Sequence, residues 1–82
     1  RKEVLYIKIK DCDEAVKTEV FRIATIFHLS VVDYGKTEML LESLQTEKRN
    51  DEIISYFSNY FKHIEVVRGG SVAIKGVSIQ DK

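Results

Sequence analysis

Length, composition and charge restrict this chain to a small globular protein. It has 82 residues, of which 44% are hydrophobic and 32% are charged, and thirteen basic residues balance thirteen acidic ones. A neutral chain without a local basic run is not expected to bind nucleic acid or an anionic membrane surface. No apolar stretch approaches the roughly 18 residues of a membrane span. The single cysteine, Cys12, has no internal disulfide partner, which favours a reducing compartment.

The first segment predicts a strand with one fully apolar face. Residues 3–10 alternate in polarity, as a half-buried strand does. One face carries Leu5, Ile7 and Ile9. The other face carries Val4, Tyr6, Lys8 and Lys10.

A first helix is predicted over residues 14–28, because apolar side chains recur there at helical spacing. Asp11 or Asp13 would cap its free N–H groups. Its apolar stripe consists of Val16, Val20, Ile23, Ala24 and Phe27. Its polar side consists of Lys17, Glu19 and Arg22.

The rest of the chain predicts a hairpin, a second helix and a final strand. Strands over 29–34 and 38–44 are joined by a turn at Gly35-Lys36, and a short link of this kind makes an antiparallel hairpin. Thr46 and Glu47 open a helix over 47–61, and a strand follows over 63–68. The helix stripe is predicted to contain Ile53 or Ile54, Phe57, Tyr60 and Phe61.

The element order β-α-β-β-α-β predicts an α+β fold, the ferredoxin-like sandwich. Two helices would cover one face of a four-stranded antiparallel sheet, with the first strand in a central position. A short extra strand is expected at 72–74, and the whole chain, 1–82, is expected to form one domain.

Two surfaces are candidates for protein association. Val4 and Tyr6 would face away from both helices, and an apolar patch of this kind is unusual in a soluble monomer. Tyr56 and Tyr60 belong to an aromatic cluster at helical spacing, which either packs as the core and its rim or faces a partner. The second alternative is considered because tyrosine is favoured at interfaces. We therefore expect a partner, either another domain or another copy.

The segment 65–76 contains Gly69-Gly70 between two β-like runs. A phosphate loop needs a helix directly after it, whereas a run of strand character follows Gly70. The pattern instead predicts a tight turn in which Gly69 or Gly70 has positive φ, without a bound anion.

Catalytic and metal sites have little support in the sequence. His28, His63 and Cys12, with Asp11 or Asp13, lack the spacing of a metal site. Both histidines are better explained as residues at helix ends. Cys12 has no local signature of a nucleophile, and the carboxylates on the strands are explained as surface charges. We expect no catalytic residue, no cofactor and no metal.

Three segments, residues 1–10, 17–35 and 64–76, resemble the C-terminal domain of the acetolactate synthase small subunit. In residues 17–35 the family pattern is carried by Glu19, Val20, Arg22, Ile23, Ala24, Ile26, Phe27, Val31, Val32 and Asp33, with Lys17 in the place of an arginine. In residues 64–76 it is carried by Glu65, Val67, Arg68, Gly70, Val72, Ala73, Ile74 and Gly76. The chain departs from the family pattern at Gly69, Gln45, Lys62 and Lys75.

The resemblance implies a non-catalytic regulatory domain that supports a thiamine-diphosphate-dependent large catalytic subunit in branched-chain amino-acid biosynthesis. It implies a cytoplasmic protein, or one of the plastid stroma in a plant, and we also expect a homo-oligomer. The family's effector-binding ACT domain precedes the region that this chain resembles, so no effector residues are assigned here. An alternative is a free-standing ACT-like sensor of an amino acid, although its first strand-to-helix junction, "KDCDE", lacks the glycine such sites favour. A small enzyme is a third reading.

Overall fold

The secondary structure follows the predicted order. The computed structural model describes residues 2–69. The elements are β1 (Lys2–Ile9), α1 (Glu14–Phe27), β2 (Ser30–Tyr34), β3 (Met39–Thr46), α2 (Glu47–Tyr60) and β4 (Ile64–Arg68). Their ends differ from the sequence-based bounds by at most two residues. The strand predicted at 72–74 lies outside the described residues.

The four strands form one antiparallel sheet in the order β2-β3-β1-β4. The prediction that β1 is central is therefore confirmed, and β3 is the other interior strand. With both helices on one side, this is the ferredoxin-like α+β fold. A bulge between Val31 and Asp33 interrupts the pairing of β2 with β3.

The core lies between the sheet and the two helices, as the alternation of β1 predicts. Its sheet side consists of Leu5, Ile7, Ile9, Met39 and Leu41. Its helix side consists of Val20 and Ile23 from α1 and Ile53 and Phe57 from α2. Burial of each large side chain contributes on the order of 1.5–3 kcal/mol, so this layer fixes which sheet face the helices cover.

Local signals at the helix and strand ends are confirmed in part. Asp13 caps α1, because its carboxylate accepts a 2.8 Å hydrogen bond from the amide of Val16. Thr46 caps α2 in the same way. His28 ends α1 in the left-handed conformation, with φ 62°. Gly69 has φ 91°, which confirms the predicted positive φ, whereas Gly70 lies outside the described residues.

The prediction that Lys17 lies on the polar side of α1 is wrong. The residue is 4% exposed, and its ammonium donates a 2.5 Å hydrogen bond to the carbonyl of Lys36. The same ammonium lies 3.6 Å from the Glu14 carboxylate and 4.6 Å from the ring centre of Tyr34. The turn after β2 thus supplies partners for the ammonium, and the aliphatic stem is buried beneath it.

Candidate association surface

The sheet face opposite the helices is defined by cross-strand pairs. Val4 lies opposite Leu44, and Tyr6 lies between Glu42 and Val67. Lys8 lies between Leu40 and Glu65. We call this surface the helix-free face; its members are Val4, Tyr6, Lys8, Leu40, Glu42, Leu44, Glu65 and Val67.

One end of the helix-free face is apolar. Leu44 is 58% exposed although it lies on an interior strand. Its cross-strand partner Val4 and the nearby Val67 are half-buried. Leu44 was not predicted as an interface residue, although the alternation of "EMLLESL" places it on the same face as Leu40. The face therefore combines the predicted Val4 and Tyr6 with an aliphatic side chain that is more exposed than either.

The charged groups of this face have partners within the chain. The Tyr6 hydroxyl donates a 2.8 Å hydrogen bond to Glu42, and this bond raises the pKa of Tyr6 above its usual range. The Lys8 ammonium lies 3.7 Å from the Glu38 carboxylate. The neighbouring Lys10 pairs with Glu65 at 3.1 Å. A partner that covered the face would thus meet charges that are already compensated.

A polar network lies on the other side of the sheet, directly beneath the apolar end. Asn50, which is fully buried on α2, donates from its amide nitrogen to the backbone oxygen and carboxylate of Glu3, at 3.1 and 2.9 Å. The Ser43 hydroxyl donates to the Asn50 amide oxygen at 2.7 Å. Arg68 pairs with both Glu3 and Asp51. Hydrogen bonds from Arg68 and Asn50 lower the pKa of Glu3.

This network was not predicted, because an asparagine inside a helix gives no sequence signal for burial. Its sheet members Glu3, Ser43 and Arg68 are the chain neighbours of Val4, Leu44 and Val67 respectively. The network therefore connects β1, β3 and β4 at the point where the helix-free face is most apolar.

The other two interface candidates, Tyr56 and Tyr60, lie in the helix layer. Their rings are 5.4 Å apart, and the Tyr56 ring lies 5.3 Å from that of Phe27 on α1. The Tyr60 hydroxyl donates a 2.9 Å hydrogen bond to Glu19, which raises the pKa of Tyr60. The structure thus brings Val4 together with Tyr6, and Tyr56 together with Tyr60, but the sheet and core separate the two pairs.

The residues weighed as metal ligands or nucleophiles are dispersed. Cys12 is buried, its thiol donates to the Ile9 carbonyl, and burial raises its pKa. His28 ends α1, whereas His63 contacts Asp11, with 2.7 Å between the imidazole Nδ1 and a carboxylate oxygen. Within residues 2–69 no group of three or more histidine, cysteine, aspartate or glutamate side chains is arranged to hold a metal ion.

A small cavity opens beside this Asp11–His63 contact, between the β1–α1 and α2–β4 loops. Its volume is about 320 Å³, and its apolar walls include Ile9, Val16 and Phe61. Asp11 has φ 58°, a left-handed conformation that is uncommon outside glycine.

None of the helices in the described part of the chain is long and apolar enough to cross a membrane.

Comparison with known proteins assigns the chain to a family. A search of curated proteins and a search of solved structures gave no match. The family described as the small subunit of acetolactate synthase matches residues 2–76, which is nearly the whole chain. The predicted family resemblance is confirmed: the chain belongs to the family of the acetolactate synthase small subunit.

Proposed function

We propose that this chain is a non-catalytic association domain of acetolactate synthase. It binds the thiamine-diphosphate-dependent large subunit, supports its activity in branched-chain amino-acid biosynthesis, and forms a homo-oligomer. The observation that carries the proposal is the family match over residues 2–76, since a small subunit implies a catalytic large subunit as its partner.

The chemistry of the described residues supports a role in association. The helix-free face exposes Leu44 on an interior strand beside the half-buried Val4 and Val67, and an apolar contact site for a partner could include these three residues. The Cys12 thiol, with its raised pKa and buried position, is poorly suited to act as a nucleophile. We also place the protein in a reducing compartment, the cytoplasm or a plastid stroma, where its free thiol would persist.

The proposal is tested by adding the purified chain to the large subunit of acetolactate synthase from the same organism. We expect acetolactate formation to rise and saturate as the chain is titrated, and the two proteins to elute together in size-exclusion chromatography. Serum albumin at the same concentration serves as the control for non-specific stabilisation. Separate elution together with an unchanged rate would show that the proposal is wrong.

One observation favours the second candidate, an ACT-like amino-acid sensor. Asp11 adopts the conformation that a glycine would supply in the β1–α1 loop, and it lies beside the 320 Å³ cavity. Calorimetric titration with valine, leucine and isoleucine separates the two candidates. The association proposal predicts no saturable binding, because the family's effector domain is not the part that this chain resembles, and submillimolar binding of any of the three would favour the sensor.

A further inference from the structure

We propose that the cavity between the β1–α1 and α2–β4 loops binds a small aliphatic carboxylate. This inference goes beyond the proposed association function, because it concerns a ligand site and is tested on this chain alone.

The interior of the cavity is apolar. Ile9, at the end of β1, is 1% exposed and lines the inner end. Val16 and Phe61 are half-buried and line the walls together with Tyr60. The Tyr60 hydroxyl is already bonded to Glu19, so this residue offers its ring to the cavity. An aliphatic chain bound here would remove apolar surface from water on both sides of the contact.

Both loops that enclose the cavity are fixed by backbone hydrogen bonds. The amide of Lys10 donates a 2.8 Å hydrogen bond to the carbonyl of His63, which joins the two loops directly. The amide of Cys12 donates to the carbonyl of Thr37 at 2.7 Å. Asp11 lies between these two anchored residues with φ 58°. The cavity is therefore preformed, and a ligand that enters it spends little free energy on ordering the loops.

The charges around the cavity favour an anion. Asp11 and His63 contact each other at 2.7 Å, and Lys10 pairs with Glu65 at 3.1 Å. Lys62 also lines the cavity, and in the described part of the chain no ion pair engages its ammonium. An anion would pair with this ammonium, whereas a cation of the same shape would meet only carboxylates that already have a partner.

The volume and the single available lysine together define the ligand class. The 320 Å³ of the cavity correspond to about ten water molecules at ~30 Å³ each, the lower end of the range for ligand sites. An aliphatic acid of about five carbons fits this volume, with its carboxylate at Lys62. A phosphate group would need more donors than one lysine supplies. With so few contacting atoms, the expected dissociation constant is about 1–10 mM.

The test compares pentanoate with pentylamine, which has the same carbon chain and the opposite charge. Each compound is titrated into the isotope-labelled chain, and the amide chemical shifts are followed by NMR. We expect pentanoate to shift the amides of residues 9–11 and 60–63 in a saturable manner. Pentylamine should bind at least about threefold more weakly, because it cannot pair with Lys62.

Reversing the charge at Lys62 gives a second test. Lys62→Glu should weaken pentanoate binding about tenfold and should reverse the preference between the two compounds. Lys48→Glu, at an exposed lysine at the opposite end of α2, is the matched control and should change neither affinity. Both substitutions are at the surface, and the amide spectrum of each variant establishes that it is folded.

Three results would overturn the inference. They are the absence of saturable shifts at residues 9–11 and 60–63 up to about 50 mM pentanoate, equal affinity for pentylamine, and equal weakening by the two lysine variants. Leucine, which carries both charges, separates this site from the amino-acid sensor: tighter binding of leucine than of pentanoate would favour the sensor and would also overturn the inference. A failure here leaves the proposed association intact, because elution together with the large subunit is measured independently.

Discussion

Replacing Asn50 with alanine tests whether the buried network holds the sheet together. The Asn50 amide makes three hydrogen bonds: two to Glu3 and one from the Ser43 hydroxyl. Ser43 is 2% exposed, so water cannot readily replace the lost acceptor. Each buried polar group left unpaired costs about 1–3 kcal/mol, and two such groups, the Ser43 hydroxyl and the Glu3 carbonyl, give at most about 2–6 kcal/mol.

This loss is large against the roughly 5–15 kcal/mol by which a small domain is stable. The assay is urea unfolding of the parent, Asn50→Ala and Asn59→Ala, with Asn59 as an exposed control on the same helix. We expect the control to lie within about 0.5 kcal/mol of the parent. A double-mutant cycle with Ser43→Ala isolates the Ser43–Asn50 bond, and its coupling should reach about 1 kcal/mol.

Two results would refute this reasoning. An Asn50→Ala loss below about 1 kcal/mol would mean that water or another side chain replaces the amide. Strict additivity in the cycle would mean that the hydrogen bond between Ser43 and Asn50 contributes nothing to stability.

Three further predictions use other contacts. Hydrogen bonds from Arg68 lower the pKa of Glu3 below its ordinary value of 4.5, so the stabilisation they give is present above pH 4.5 and is lost as the pH falls through the folded-state pKa. The urea midpoint of Glu3→Gln should therefore fall less steeply than that of the parent between about pH 7 and 3. Equal slopes for the two proteins would contradict this. His28→Gly should raise the free energy of unfolding by about 0.5–1 kcal/mol, because glycine adopts the left-handed conformation without strain, whereas His28→Ala should not raise it. Equal effects of the two substitutions in urea unfolding would show that backbone strain at residue 28 does not limit stability. Lys17→Met should cost about 1–2 kcal/mol because the Lys36 carbonyl loses its donor, while the exposed Lys48→Met should change stability by less than about 0.5 kcal/mol.

The sequence by itself determined the elements, their order and the fold class. Alternation in residues 3–10 set which side chains of β1 face the core, and helical spacing set the apolar stripe of α1. Capping signals at Asp13 and Thr46 positioned both helix starts. These features depend on neighbours a few residues apart, so local patterns are sufficient to predict them.

The tertiary structure decided which polar groups are buried and which apolar groups are left exposed. The sequence predicts Lys17 to be a surface residue, but the fold places the Lys36 carbonyl within hydrogen-bond distance of its ammonium. The sequence gives no sign that Asn50 is buried, but in the fold its amide is hydrogen-bonded to Glu3 and Ser43. The sequence does not distinguish Leu44 from other strand residues, but the strand order places it on an interior strand, where it is exposed on the face opposite the helices. Periodicity gives the direction of a side chain within its element, but its burial depends on what the chain packs there from a distant position in the sequence.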